Sequence, residues 1–171
     1  GQPMTDFDTV FQAVSAHVTR AAEKLRQHGL VAGTLTVFFH TNRHRKDRPQ
    51  YAGSRSTRIM PMSCDTFELV RAARRCADAA WPKGQAAKFG FTKAGVMLDD
   101  LLPIEDRPRT LFDAPRSKNG DAMRALDLIN DRFGKKTMVL ASEGMKRPWQ
   151  LRADHRSPRY TTRLSDLPIV R

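Results

Sequence analysis

The 171 residues carry 30 Lys+Arg against 18 Asp+Glu, a formal net charge of +12, with 40% hydrophobic residues. That length holds one domain, or one plus a small annex, and can bury a proper core without staples. Two cysteines, and no apolar run near the ~20 residues of a membrane span, argue against a disulfide framework and a spanning helix. Residues 1–103 hold 15 basic and 9 acidic side chains and residues 104–171 hold the same numbers, so each portion is +6 and no single tail carries the excess. A polyanionic partner is expected, nucleic acid ahead of an anionic membrane. Gly1 in place of Met reads as a chain cut from something longer. No signal-peptide pattern opens it, and the expected location is cytoplasmic.

Thr5 to His28 is predicted as a helix. Phe7, Val10, Phe11, Val14, Val18, Ala21, Ala22 and Leu25 recur at three- and four-residue steps, with Thr5 as cap and Gly29 as stop. From Gly33 to Met62 the chain reads strand, basic loop, strand. Thr34–Thr41 is rich in β-branched and aromatic residues, and Arg55–Met60 alternates as a half-buried strand does. The loop between them sets Arg43, Arg45, Lys46 and Arg48 against one acid, Asp47. Ser54, Ser56 and Arg58 share one strand face, because side chains repeat every two residues. Two readings stand here: a face of hydroxyls and cations that takes phosphodiester, or a solvated hairpin.

Asp65-x-x-Glu68 is a capping box opening a second helix, with Leu69, Val70, Ala73, Ala77, Ala80 and Trp81 inward and Arg71, Arg74 and Arg75 outward. Lys88–Leu98 follows as a strand. The order helix, strand, strand, helix, strand is a split βαβ arrangement lacking an opening strand, of which residues 1–4 are a candidate remnant. Both helices then cover one sheet face and leave the other open. Past Leu101 three prolines and scattered charges mark a linker, with Leu111-Phe112 either a short docking motif or a pair tucked onto its own domain. Asp121–Phe133 is a third helix, with Ala122, Leu126, Ile129 and Phe133 on one face, and Lys136–Ala141 a short strand. The basic tail carries Trp149, read as an anchor onto the helix, and Tyr160, whose role stays open between anchoring and stacking.

Catalytic signatures are absent from the pattern. Asp99-Asp100 is the one adjacent acid pair near a strand end, and neighbours on a strand face opposite ways, which makes a poor shared metal site. His40 and His44 do not share a helix face, Cys64 and Cys76 lack zinc spacing, and no phosphate-binding glycine-lysine loop occurs. The chain reads as non-catalytic, without metal or cofactor.

Ala21-Ala-Glu-Lys-Leu-Arg26, Lys93-Ala-Gly-Val-Met-Leu98, Trp149-Gln150, Ser157-Pro-Arg-Tyr-Thr-Thr-Arg163 and Ser165-Asp-Leu167 together resemble the C-terminal part of the UmuC-type Y-family DNA polymerases. This is the catalytic-subunit family of the SOS mutagenesis polymerase, with its plasmid-borne MucB, RumB and RulB types. The likeness runs from about Phe7 to Val170. It implies an α+β fold: a little-finger domain over 1–103, a split βαβ sheet with two helices on one face that grips primer–template DNA. A linker over 104–118 and a small α/β UmuC-type C-terminal domain over 119–171 would follow. The metal-binding carboxylates and their magnesium would then belong to the parent's other domains. DNA contacts are expected from Arg43, Arg45, Lys46 and Arg48 in the loop, Ser56 and Arg58 on the sheet, and Lys93 beside it. The family's clamp motif, Gln-Leu-x-Leu-Phe, has its last two residues here as Leu111 and Phe112, while Pro108 and Arg109 stand where it has Gln and Leu. Arg159, Tyr160 and Arg163 are the expected partner surface, for a UmuD-type dimer, the RecA filament or the sliding clamp.

Overall fold

The apolar stripe of the first helix is where the core begins. The computed structural model of the chain describes residues 3–45, 47–108, 119–150, 157–163, 165 and 167. Helix α1, Phe7–Gln27, buries Val10, Phe11, Val14, Val18, Ala22 and Leu25, the three- and four-residue steps of one face. It is capped by Asp6 rather than Thr5: the Asp6 carboxylate accepts the Thr9 N–H at 2.9 Å, leaving Thr5 outside the helix. Gly29, at φ 64°, turns the chain out of α1.

Strands β1, Leu30–Thr41, and β2, Ala52–Ser63, form the expected antiparallel hairpin, each longer than its β-branched stretch alone implied. Asp65 then caps α2, Thr66–Ala80, accepting the Phe67 and Glu68 N–H groups at 2.8 and 3.2 Å. Strand β3, Phe91–Pro103, starts later than expected because Ala86–Lys88 forms a short 3-10 turn instead. The sheet order is β2-β1-β3. Since β2 and β3 are each antiparallel to β1, they run parallel to one another with β1 between them, and α2 makes the crossover. That is the split βαβ unit. Met4 pairs with Phe91 on the sheet through two backbone bonds of 2.9 and 2.8 Å, so the opening segment forms a bridge, not a strand.

Both helices pack on one face of this sheet, around Leu35, Val37, Phe39, Ile59, Leu69 and Ala73. Trp81, just past α2, closes one end of the core with its ring 5.1 Å from Phe7, 5.5 Å from Phe39 and 4.7 Å from Phe91. Tyr51 locks the hairpin to that end by donating its hydroxyl to the Ala80 carbonyl at 2.6 Å.

The C-terminal part departs from the sequence reading in two places. Helix α3 spans Gly120–Phe133, but it buries Met123 and Leu126, while Ala122 is exposed and Phe133 is 67% exposed. Its register is fixed by polar contacts as well as apolar ones, because Asp127 meets Arg26 of α1. The strand expected over Lys136–Ala141 does not form. The Thr137 hydroxyl and backbone N–H bond the preceding Phe133 and Gly134 carbonyls, and Asn130 holds the backbone of Met138, so the stretch turns locally. A 3-10 turn at Ala141–Glu143 then packs on α1 through the Ser15–Ser142 hydroxyl pair at 2.6 Å.

Candidate nucleic-acid interface

The pairing register decides what the uncovered sheet face carries. Directly opposed residues on neighbouring strands share a face. Thr34, Thr36, Phe38 and His40 of β1 oppose Arg58, Ser56, Ser54 and Ala52 of β2, and Asp99, Met97, Gly95 and Lys93 of β3. The alternate β1 residues, Leu35, Val37 and Phe39, are fully buried beneath the helices, which fixes the first set on the outside. Ser54, Ser56 and Arg58 thus line one face as the two-residue period implies, and Lys93 joins them from β3. The Thr36 and Ser56 hydroxyls are 2.8 Å apart, and Thr34 donates its hydroxyl to Asp100.

Arg58 and Lys93 stand at diagonal corners of this face, beside Thr34 and His40 respectively. The hairpin loop sits at the Lys93 end. Within it Arg45 is engaged by Asp47, with Nη2 to carboxylate at 2.8 Å and Nε at 3.2 Å, and that guanidinium holds the Asp47 carboxyl below its ordinary range. Gln50 braces the loop by donating to the Arg45 and Arg48 carbonyls at 2.6 and 3.1 Å. Among the described residues, Arg43, Arg48, Arg58 and Lys93 have no acidic side chain within ion-pair distance. Lys46 lies outside the described residues, as do Leu111 and Phe112. Arg159, Tyr160 and Arg163 lie in an exposed turn in which the Arg159 carbonyl accepts the Thr162 and Arg163 N–H groups at 3.0 and 2.9 Å.

Residues that the sequence reading did not assign to this face complete it. Phe38 and His40 lie on it with ring centroids 5.4 Å apart, and Met97 beside them is 52% exposed. The signal for Phe38 and His40 was present, since they alternate with buried Phe39, but their neighbours on β3 depend on a register that spacing alone does not give. A second basic strip lies at the β3 edge of the sheet: His17, Arg20 and Lys24 of α1 border a shallow groove with Gly95 and Val96. Partial burial of the His17 ring, then the Arg20 charge, lowers the His17 pKa. Trp149 packs here, its ring 6.5 Å from His17, as an anchor.

Among the described residues no group of three or more His, Cys, Asp or Glu side chains could hold a metal ion. No helix among them is long and apolar enough to cross a membrane.

The chain belongs to the impB/mucB/samB family, whose C-terminal domain model matches residues 1–111. Residues 121–170 match a separate domain of unknown function, DUF4113. Over 173 residues the chain is 35% identical to Protein UmuC of Salmonella typhimurium (strain LT2), covering 100% of this chain and 40% of that protein. It is 34% identical to Protein SamB of Salmonella typhimurium with the same coverage. Against Protein MucB of Escherichia coli it is 31% identical, over 99% of this chain and 39% of the relative. The chain therefore spans about two-fifths of the length of these relatives. The UmuC-type relationship read from the sequence motifs is the one these matches carry.

Proposed function

We propose that this chain is the DNA-gripping C-terminal part of an error-prone translesion DNA polymerase of the SOS response, holding primer–template through its backbone phosphates. The observation that carries this reading is the open sheet face: the Thr36 and Ser56 hydroxyls with Arg58 and Lys93 at two corners and Asp99 at a third, and Arg43 and Arg48 in the hairpin loop at the Lys93 end, these four cations without acidic partners among the described residues. A guanidinium or ammonium with no acid to satisfy it is ready for phosphate, and hydroxyls add donors that carry no sequence information. Binding is then sequence-independent. Nucleotidyl transfer and its magnesium belong, under this reading, to the part of the longer protein outside this chain. Arg58→Ala tests it: affinity for a labelled primer–template at low salt falls several-fold, and unchanged affinity removes Arg58 from the site.

A second reading, a protein-docking module, draws on a different observation. Tyr160 is 46% exposed, and Leu128 and Phe133 on α3 are 68% and 67% exposed. Under it, Arg159, Tyr160 and Arg163 contact a UmuD-type dimer, RecA or the sliding clamp, and both readings hold if each part has its own task. Pull-downs with each partner decide it: a folded Tyr160→Ala chain that retains every partner sinks this surface.

A further inference from the structure

A phosphate grip leaves the middle of the open face unaccounted for. Along the diagonal from Arg58 to Lys93 the sheet carries no charge: Ser56 and Thr36 come first, then Phe38, then His40 beside Lys93. Cations and hydroxyls suffice for a sugar–phosphate backbone, and an aromatic pair adds nothing to that task. Phe38 also has its place made for it. Its ring reaches across to β3 at Gly95, where a Cβ would lie 2.6 Å from the ring tip and 3.1 and 3.2 Å from the two adjacent ring atoms. Any other residue at that register position would displace the ring. His40 continues the strip at 5.4 Å with a 33° tilt between the rings, and its Nδ1 is buried without a hydrogen-bond partner among the described residues. Half-exposed Met97 extends the apolar surface on the side of β3.

We infer that Phe38 and His40 form a stacking platform for unpaired nucleobases, so that this face holds a single-stranded stretch of DNA, its bases on the rings and its phosphates toward Arg58 and Lys93. Base-on-ring stacking is tolerant of sequence, because every base has a π face, and cationic rims that track the backbone complete such a site. The inference deepens the DNA-gripping reading and rests on it.

The test uses the whole chain and fluorescence anisotropy with three labelled probes of equal length: oligothymidine, the same strand with its central bases removed, and a duplex. The two single strands carry equal charge, so their difference reports the bases alone. The expected preference for oligothymidine over the abasic strand is about ten-fold. Phe38→Leu abolishes that preference, while Phe38→Tyr retains it. Should Phe38→Leu fail to fold, Gly95→Val, which pushes the ring aside, gives the same readout. Equal wild-type affinity for the two single strands, or a preference that survives loss of the ring, overturns the platform while duplex binding stands. Failure to bind all three probes at low salt overturns the DNA-gripping reading itself, and the platform with it.

Discussion

Arg26, near the C-terminal end of α1, divides its guanidinium between α3, the start of α2 and the link that precedes α2. Nε and Nη2 donate to the two Asp127 oxygens at 2.6 and 2.7 Å, and Nη1 donates to the Cys64 carbonyl at 2.9 Å and the Thr66 hydroxyl at 2.8 Å. With side-chain exposures of 13% and 25%, the Arg26–Asp127 pair is shielded enough that removing one partner strands the other. Arg26→Ala is expected to lower stability by about 2–4 kcal/mol in chemical denaturation, and Arg26→Lys to recover less than half, since an ammonium cannot reproduce the fork. His17 provides a pH-dependent contact at the other end of this docking surface. Its folded-state pKa lies below the ordinary value of 6.5, so the unfolded chain takes up the proton first. Its contribution is therefore intact above that value and is lost as the pH falls below it. Acidifying from above 6.5 to well below it should shift the NMR indole signal of Trp149, and His17→Gln should remove that shift. Neither residue was legible as a contact. Arg26 and Asp127 each look like solvated helix charges, and only the packing of α3 on α1 makes them a pair.

At the scale of elements, the hairpin shows what pattern alone conveys. Period-two alternation placed Ser54, Ser56 and Arg58 on one face, and the apolar steps of α1 and α2 fixed which sides of those helices are buried. Strand order and the register of β3 against β1 were not in the pattern, because they depend on how α2 returns the chain; so Lys93 could be named but not placed at the corner opposite Arg58. The third helix was misread for a related reason. Its apolar residues allow more than one stripe; the one through Met123 and Leu126 is the buried one, with Asp127 beside it held by Arg26 of α1. Gly53 illustrates a constraint that spacing cannot show: a Cβ there would lie 2.7 Å from the Tyr51 ring and 3.0 Å from the Ala80 carbonyl, the group the Tyr51 hydroxyl bonds. Gly53→Ala is expected to break that bond and lower stability by about 1–2 kcal/mol, with loss of the near-ultraviolet dichroism of the Tyr51–Trp81 aromatic cluster.

For the whole molecule, the charge of +12 gave the earliest pointer to a polyanion, and its even spread argued that the fold, not a tail, presents it. The fold explains how: helices occupy one face of the sheet, the Ala141–Glu143 turn packs on α1, the Arg26–Asp127 pair ties α3 to α1, and the opposite face keeps its hydroxyls, Arg58 and Lys93, with Asp99 at one corner. The measurement that tests this account most directly is the affinity of the chain for a labelled primer–template across a salt series. If Arg43, Arg48, Arg58 and Lys93 each neutralise one phosphate, log affinity falls linearly with log salt with a slope of roughly −3.6, and Arg58→Ala flattens it by about one. A slope near zero, or no binding at low salt, would contradict the phosphate grip and leave the exposed C-terminal surface as the working part of the chain.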